Sequence, residues 1–159
     1  MESYLVLPFW LAEQHLAVSL AHVVRVLPAL LCSPLPGAPA TVLGVVNVQG
    51  RILPVVDLAR RFDWPSPPLL LWQPFIWLKT TNRDLLLPVD RVESASRYAI
   101  QDFAPAPHPS VPSRLLKGVL RTEEGLLLIQ DVEQVLSDAD DEQLDAALLD
   151  SRGATDAPS

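Results

Sequence analysis

The chain echoes itself, and this duplication limits its fold more than any other feature. The stretch "GVVNVQGRILPVVDLARRF" (44 to 62) is matched by "GVLRTEEGLLLIQDVEQVL" (118 to 136), and Gly44 to Asp57 has the same spacing as Gly118 to Asp131. Upstream, "VSLAHVVRV" (18 to 26) is matched by "LPVDRVESA" (87 to 95) in its pattern of apolar, any, apolar, two polar or small, then Val. Each half therefore reads as one small β unit. A strand leads into a short helical turn, a hairpin follows, and an Asp opens a final helical turn.

Proline reinforces this reading. Sixteen prolines run from Pro8 to Pro158, and each removes a backbone donor and collides with the preceding helical turn, so few windows can hold a long helix. Short runs rich in Val, Ile, Leu and aromatics lie between them, at Tyr4 to Trp10, Leu16 to Leu20, Leu43 to Val48, Arg51 to Val56, Leu70 to Lys79, Asp84 to Val89, Gly118 to Arg121 and Leu126 to Ile129. Strand-sized segments at frequent spacing predict barrels or a sandwich. Two proline clusters punctuate the pattern. "DWPSPP" (63 to 68) is expected to join two lobes, and "APAPHPSVP" (104 to 112) to form a long loop in the second.

With 159 residues, 49% of them hydrophobic, the chain can bury one compact core or two small lobes that share one. The formal charge of −7 is concentrated at the end, because the segment from Asp138 to Ser159 holds seven acids and one base. No basic groove or lysine-rich face is present to attract nucleic acid. Cys32, the single cysteine, has no internal disulfide partner and no Cys or His at metal-ligand spacing, so it is expected to be a buried thiol. The apolar N-terminus carries Glu2, Glu13, His15, His22 and Arg25, and "LLLWQPFIWL" (69 to 78) is about half the ~20 residues of a membrane helix. These features predict a cytoplasmic protein with no direct membrane insertion.

Candidate chemistry is sparse. The six glycines make neither a dinucleotide fingerprint nor a P-loop, and no Gly-flanked nucleophile elbow is visible. His15, His22 and His108 are isolated in sequence, and no catalytic residue, metal site or cofactor is expected. Asp57 stands after an apolar strand and before "LARRF", where a carboxylate can accept hydrogen bonds from the free amides of a helix start. Asp131 stands equivalently before "VEQVL", and duplication favours capping over catalysis. Gly50 is expected to supply the positive φ of a tight hairpin. Trp10, Trp64, Trp72 and Trp77 are expected to fill a core or lobe interface; the alternative is a small-molecule sensor whose pocket is lined by Trp64, Trp72, Phe75 and Trp77. The tail "DADDEQLDAALLD" carries Leu144, Ala147 and Leu148 at helical offsets, which suits an amphipathic terminal helix. A frayed end beyond Asp150 is the alternative.

The four segments "LAVSLAHVVRVLP", "LPGAPATVLGVVNVQGRILPVVDLARRF", "LLLPVDRVESA" and "LKGVLRTEEGLLLIQDVEQVL", in this order and at this spacing, resemble the CheW-like coupling domain of bacterial chemosensory systems. The resemblance spans residues 4 to 137. It implies a mainly β fold of two small five-stranded β-barrels packed together, with short helices and a possible C-terminal helix. The expected organisation is a CheW-like domain over 1–137, with lobes at about 4–62 and 69–137, and an acidic helix or tail over 138–159. It also implies a non-enzymatic adaptor that bridges the regulatory domain of a CheA-type histidine kinase to the cytoplasmic tip of methyl-accepting chemoreceptors. Val23, Arg25, Gly44, Asn47, Gln49 and Gly50 fall where the family's partner-contacting surface is expected, although Gly44 and Asn47 are equally explained by backbone geometry. Two of these positions depart from the family. An acid is common where Arg25 stands, and an arginine where Gln49 stands in "NVQG".

Overall fold

A computed structural model describes residues 3–65, 68–70, 72–99, 103–104 and 113–156. Twelve strands are described: β1 (Ser3–Leu11), β2 (Gln14–Ser19), β3 (Val23–Leu27), β4 (Val42–Val48), β5 (Arg51–Val56), β6 (Phe75–Lys79), β7 (Asp84–Pro88), β8 (Arg91–Val92), β9 (Ser96–Ala99), β10 (Phe103–Ala104), β11 (Leu116–Thr122) and β12 (Gly125–Gln130). Two α-helices accompany them, α1 (Leu58–Arg61) and α2 (Asp138–Asp156). One sheet has five strands in the order β3-β6-β7-β5-β4; the other has seven, in the order β10-β11-β12-β2-β1-β8 with β9 also paired to β1. The two expected five-stranded barrels are thus seen as two mixed sheets. The larger exceeds five strands because β9 and β10 add short edge pieces.

The sheets do not coincide with the lobes expected at 4–62 and 69–137. The five-stranded sheet takes β3, β4 and β5 from the first half and β6 and β7 from the second, while β1 and β2 join the strands of the second half in the larger sheet. Pattern repeats reveal equivalent strands but not which sheet each one enters. The chain crosses between sheets at the 3-10 turn Leu20–His22 and again between β7 and β8. The segment 63–68, expected to join lobes, connects α1 to β6 on a single sheet; residues 66 and 67, and most of the loop expected at 104–112, lie outside the described residues.

Alternation of side chains along the strands feeds two kinds of core. Leu7, Phe9, Leu16, Val18, Ile76, Leu78, Leu85 and Leu87 join one large cluster shared by both sheets, and Leu144 and Ala147 of α2 pack into it. The opposite faces make smaller clusters. In the five-stranded sheet it contains Val46, Leu53, Val55, Phe75 and Leu86, with Val48 and Trp77; in the larger sheet, Val6, Ala17, Leu120, Leu127 and Ile129. At the spacings read from the sequence, the five residues of the second set are the repeat mates of the first five of the other.

The expected run Leu70 to Lys79 begins as a strand only at Phe75. Before it, the Gln73 side chain accepts a hydrogen bond from Leu70 N–H at 2.8 Å and closes a turn. The acidic segment is helical from Asp138 to Asp156. Ser137 Oγ accepts from Asp140 N–H at 3.1 Å, and acids crowd the first turn, where the helix dipole favours them.

Candidate partner-docking surface

The sequence-predicted contact residues lie at the two edges and one end of the five-stranded sheet. On β3, which among the described residues pairs only with β6, Arg25 points outward and sits over the Trp77 ring at 5.3 Å. Its neighbours Val24 and Val26 are 43% and 41% exposed, an unusual density of apolar surface on a strand whose outer hydrogen-bonding groups face no other strand of the sheet. Val23 is half-buried at the start of the strand.

At the opposite edge, the chain doubles back through the hairpin between β4 and β5. Gln49 and Gly50 form its two-residue turn with φ of +52° and +85°, the combination required by a twisted tight hairpin. Asn47 Oδ1 accepts from Gly50 N–H at 2.9 Å, so this side chain holds the turn from within. Gln49 and Gly50 are exposed. Next to the turn, Arg51 pairs with Asp84 at 3.0 Å and approaches the Trp77 ring at 5.6 Å. Trp77 Nε1–H donates to the same Asp84 carboxylate at 3.0 Å. Arg25 and Arg51 thus give this end of the sheet a cationic surface over a buried indole.

Gly44 is buried and has a packing role. A Cβ there would lie 2.3 Å from the Ser33 carbonyl oxygen and 2.6 Å from Cys32 Sγ. The close approach allows Ser33 and Val45 to exchange two backbone hydrogen bonds of 2.8 Å, which covers part of the β4 edge. Cys32 is half-buried, and burial pushes its thiol pKa up. Of the two sheet edges, β3 is therefore the more open.

Asp57 and Asp131 cap helical turns as expected. Asp57 Oδ1 accepts from Arg60 N–H at 3.3 Å, and Asp131 Oδ1 accepts from Glu133 N–H at 3.1 Å. Their own amides donate to equivalent carbonyls, Thr41 and Leu115, at 2.7 and 3.1 Å. The four residues of the expected sensor pocket, Trp64, Trp72, Phe75 and Trp77, do not line one cavity. Phe75 and Trp77 lie inside the five-stranded sheet's own cluster, Trp64 packs on Phe62 and the shared core, and Trp72 is 66% exposed. The Trp-lined sensor pocket is accordingly set aside. Sequence reasoning missed one cluster, His15 with Glu93 and Glu124, because its members are far apart along the chain.

Fold and surface together define a duplicated double-sheet β domain with one open apolar edge. The family model of the CheW-like domain matches residues 5–140, and the chain belongs to that family. A chemotaxis protein CheW from Rhizobium meliloti (strain 1021) is 26% identical over 129 residues, covering 80% of this chain and 83% of the relative. A chemotaxis protein CheW from Thermotoga maritima is 25% identical over 142 residues, covering 87% and 91%. The crystal structure of the scaffolding protein TtCheW from Thermoanaerobacter tengcongensis superposes with a TM-score of 0.78 at 20% identity, covering 86% of this chain and 90% of that one.

Proposed function

We propose that this protein is a cytoplasmic chemosensory adaptor that catalyses no reaction and couples the regulatory domain of a CheA-type histidine kinase to the cytoplasmic tip of methyl-accepting chemoreceptors. Membership of the CheW-like family supports the adaptor role. The observation that carries the docking mode is β3, an edge strand with Val24 and Val26 exposed on either side of Arg25. An open strand offers a partner backbone hydrogen bonds in register, and its exposed valines supply apolar area. Among the described residues no helix is long and apolar enough to cross a membrane.

The contact residues in this reading are Val23 and Arg25 on β3 and Asn47, Gln49 and Gly50 at the hairpin, with Gly44 shaping the edge from beneath. Arg25 and Gln49 change the charge that a partner meets, so the cognate kinase or receptor is one whose matching surface carries an acid opposite Arg25. Titration of the purified chain with the regulatory domain of a CheA-type kinase encoded beside it tests the reading. Saturable binding that weakens at least tenfold in Val24→Asp, with thermal unfolding unchanged, supports it. No binding to any neighbouring CheA-type partner overturns it.

A further inference from the structure

We propose that His15, Glu93 and Glu124 form a site for one divalent transition-metal cation at the outer end of the seven-stranded sheet. The three residues come from β2, from the segment after β8 and from the turn between β11 and β12. One imidazole nitrogen and one oxygen of each carboxylate lie within 4.8 Å of one another. A zinc ion held at about 2.0–2.2 Å by nitrogen and oxygen ligands sets neighbouring donors about 3.3 Å apart, so its entry opens the His15–Glu93 contact and draws Glu124 inward to make three corners of a tetrahedron.

The imidazole is prepared for such a role. His15 is only 9% exposed and its ring stacks on Trp10, with centroids 4.4 Å apart and planes 4° from parallel. Nε2 contacts Glu93, and Nδ1 is 4.0 Å from Glu124. Glu93 and the Trp10 face orient the ring, while Glu124 is beyond hydrogen-bond reach and must swing toward Glu93 for both carboxylates to share an ion at one ring nitrogen.

The repeat supplies an independent observation. In the five-stranded sheet the corresponding place is filled by Trp77, whose indole N–H bonds Asp84, with Arg51 paired to the same carboxylate. His15 is the repeat mate of Asp84, whereas the mates of Trp77, Val48 and Arg51 are Pro8, Thr122 and Gly125. The side chains that plug one sheet are small or absent in the other. In their place is a solvent-open cavity of 880 Å³ bordered by His15, Glu93, Glu123, Glu124 and Arg121. Three carboxylates face one guanidinium there, and a dication would neutralise the excess. A mixed imidazole and carboxylate set suits zinc-class ions better than magnesium, which prefers oxygen ligands and retains its waters.

Calorimetric titration of the full chain with zinc, and separately with magnesium, tests the site, with the His15 ring resonances followed by NMR. One zinc per chain, displaced His15 signals, weaker magnesium binding and an affinity loss of at least tenfold in both Glu93→Gln and Glu124→Gln are expected, with Asp150→Asn unchanged. Glu124 lies on an exposed turn, so its variant separates ligation from folding. Absence of saturable zinc binding, equal affinity for magnesium, unmoved His15 signals or an undiminished affinity in Glu124→Gln would overturn the proposal.

Discussion

Val55 lies opposite Leu86 in a parallel register, and its repeat mate Ile129 lies opposite Ala17, the mate of Leu86, in the other sheet. These two parallel contacts, together with the antiparallel pairs β3–β6, β1–β8 and β1–β9, are where strands of different halves meet. The bulges also correspond, one between Val42 and Gly44 and the other between Leu116 and Gly118. Duplication has preserved the register, yet each half gives two strands away and receives two.

Exchange of this kind makes the halves interdependent. Residues 1–65 alone would hold two hairpins without the central strands they pair with, and small isolated sheets are at best marginally stable. Neither 1–65 nor 66–159 is expected to unfold cooperatively by itself in thermal circular dichroism. An equimolar mixture should recover a cooperative transition. Cooperative melting of either fragment alone would refute the interdependence.

The two caps should behave alike. Asp57→Ala and Asp131→Ala each remove an acceptor from a helical start, and each should cost about 1 kcal/mol in urea unfolding. Asp57→Asn retains a side-chain acceptor and should cost less. A loss well above 3 kcal/mol in Asp57→Ala would show that its role exceeds capping.

The duplicated Asp, the Gly50 turn and most strands were legible in the sequence because each depends on local chemistry: apolar spacing, a residue free to take positive φ, or a carboxylate before an amide-rich turn. Sheet membership was not. The crossings at 20–22 and between β7 and β8 carry no proline or glycine cluster, so composition did not mark them, while the strands on either side of the proline-rich segment 63–68, β5 and β6, belong to one sheet. β3 was obscured because its exposed valines break the usual alternation, and β8 and β10 are two residues long. Of the contact residues expected from the resemblance, Arg25, Asn47, Gln49 and Gly50 are exposed and Val23 is half-buried, whereas Gly44 is buried. The grouping of His15 with Glu93 and Glu124 depends on tertiary structure alone.

Gly50 is demanded by its backbone angle alone, whereas Gly44 combines a φ of +155° with a close backbone approach. Gly44→Ala would drive a methyl into the Ser33 carbonyl, and a backbone clash should cost about 2–3 kcal/mol and disturb the Ser33–Val45 bridge. Gly50→Ala meets open space but keeps φ at +85°, so only about 1–2 kcal/mol of backbone strain is expected. Chemical denaturation of both variants gives the comparison, and a Gly50→Ala cost exceeding that of Gly44→Ala would contradict the close-approach account.

The terminal helix is fixed to the body by charge as well as by apolar contact. Arg83 Nε donates to Asp141 at 2.7 Å and another of its nitrogens pairs with Asp145, while Thr41 Oγ1 donates to Asp140 at 2.8 Å. Burial would lower the Arg83 pKa, but the bonds to Asp145 and Asp141 outweigh it and hold the guanidinium above its ordinary value. Removing one partner of a largely buried pair strands the other, so Arg83→Met should destabilise by about 1–3 kcal/mol. It should also speed amide exchange in α2 more than in β6. Leu144→Ala, which hollows the shared core beneath the helix, should cost about 2–5 kcal/mol. Unaltered exchange in α2 on loss of Arg83 would show that the apolar face alone secures it.

Arg25 and Gln49 provide the sharpest test of partner choice. Both are exposed, at the β3 edge and at the hairpin turn of the same sheet, and the resemblance read from the sequence leads one to expect an acid at the first position and an arginine at the second. Arg25→Glu combined with Gln49→Arg installs that expected pattern while leaving the net charge lower by only one. The substitution forfeits the Arg25 contact with Trp77, about 0.5–1 kcal/mol, so the fold should persist. In competition titrations the double variant should gain at least tenfold in affinity for the regulatory domain of a CheA-type kinase from another chemosensory system and lose at least tenfold for its own, because like charges suppress wrong pairings. Unchanged affinities for both would mean that these positions lie outside the contact and that the remaining β3 surface selects the partner.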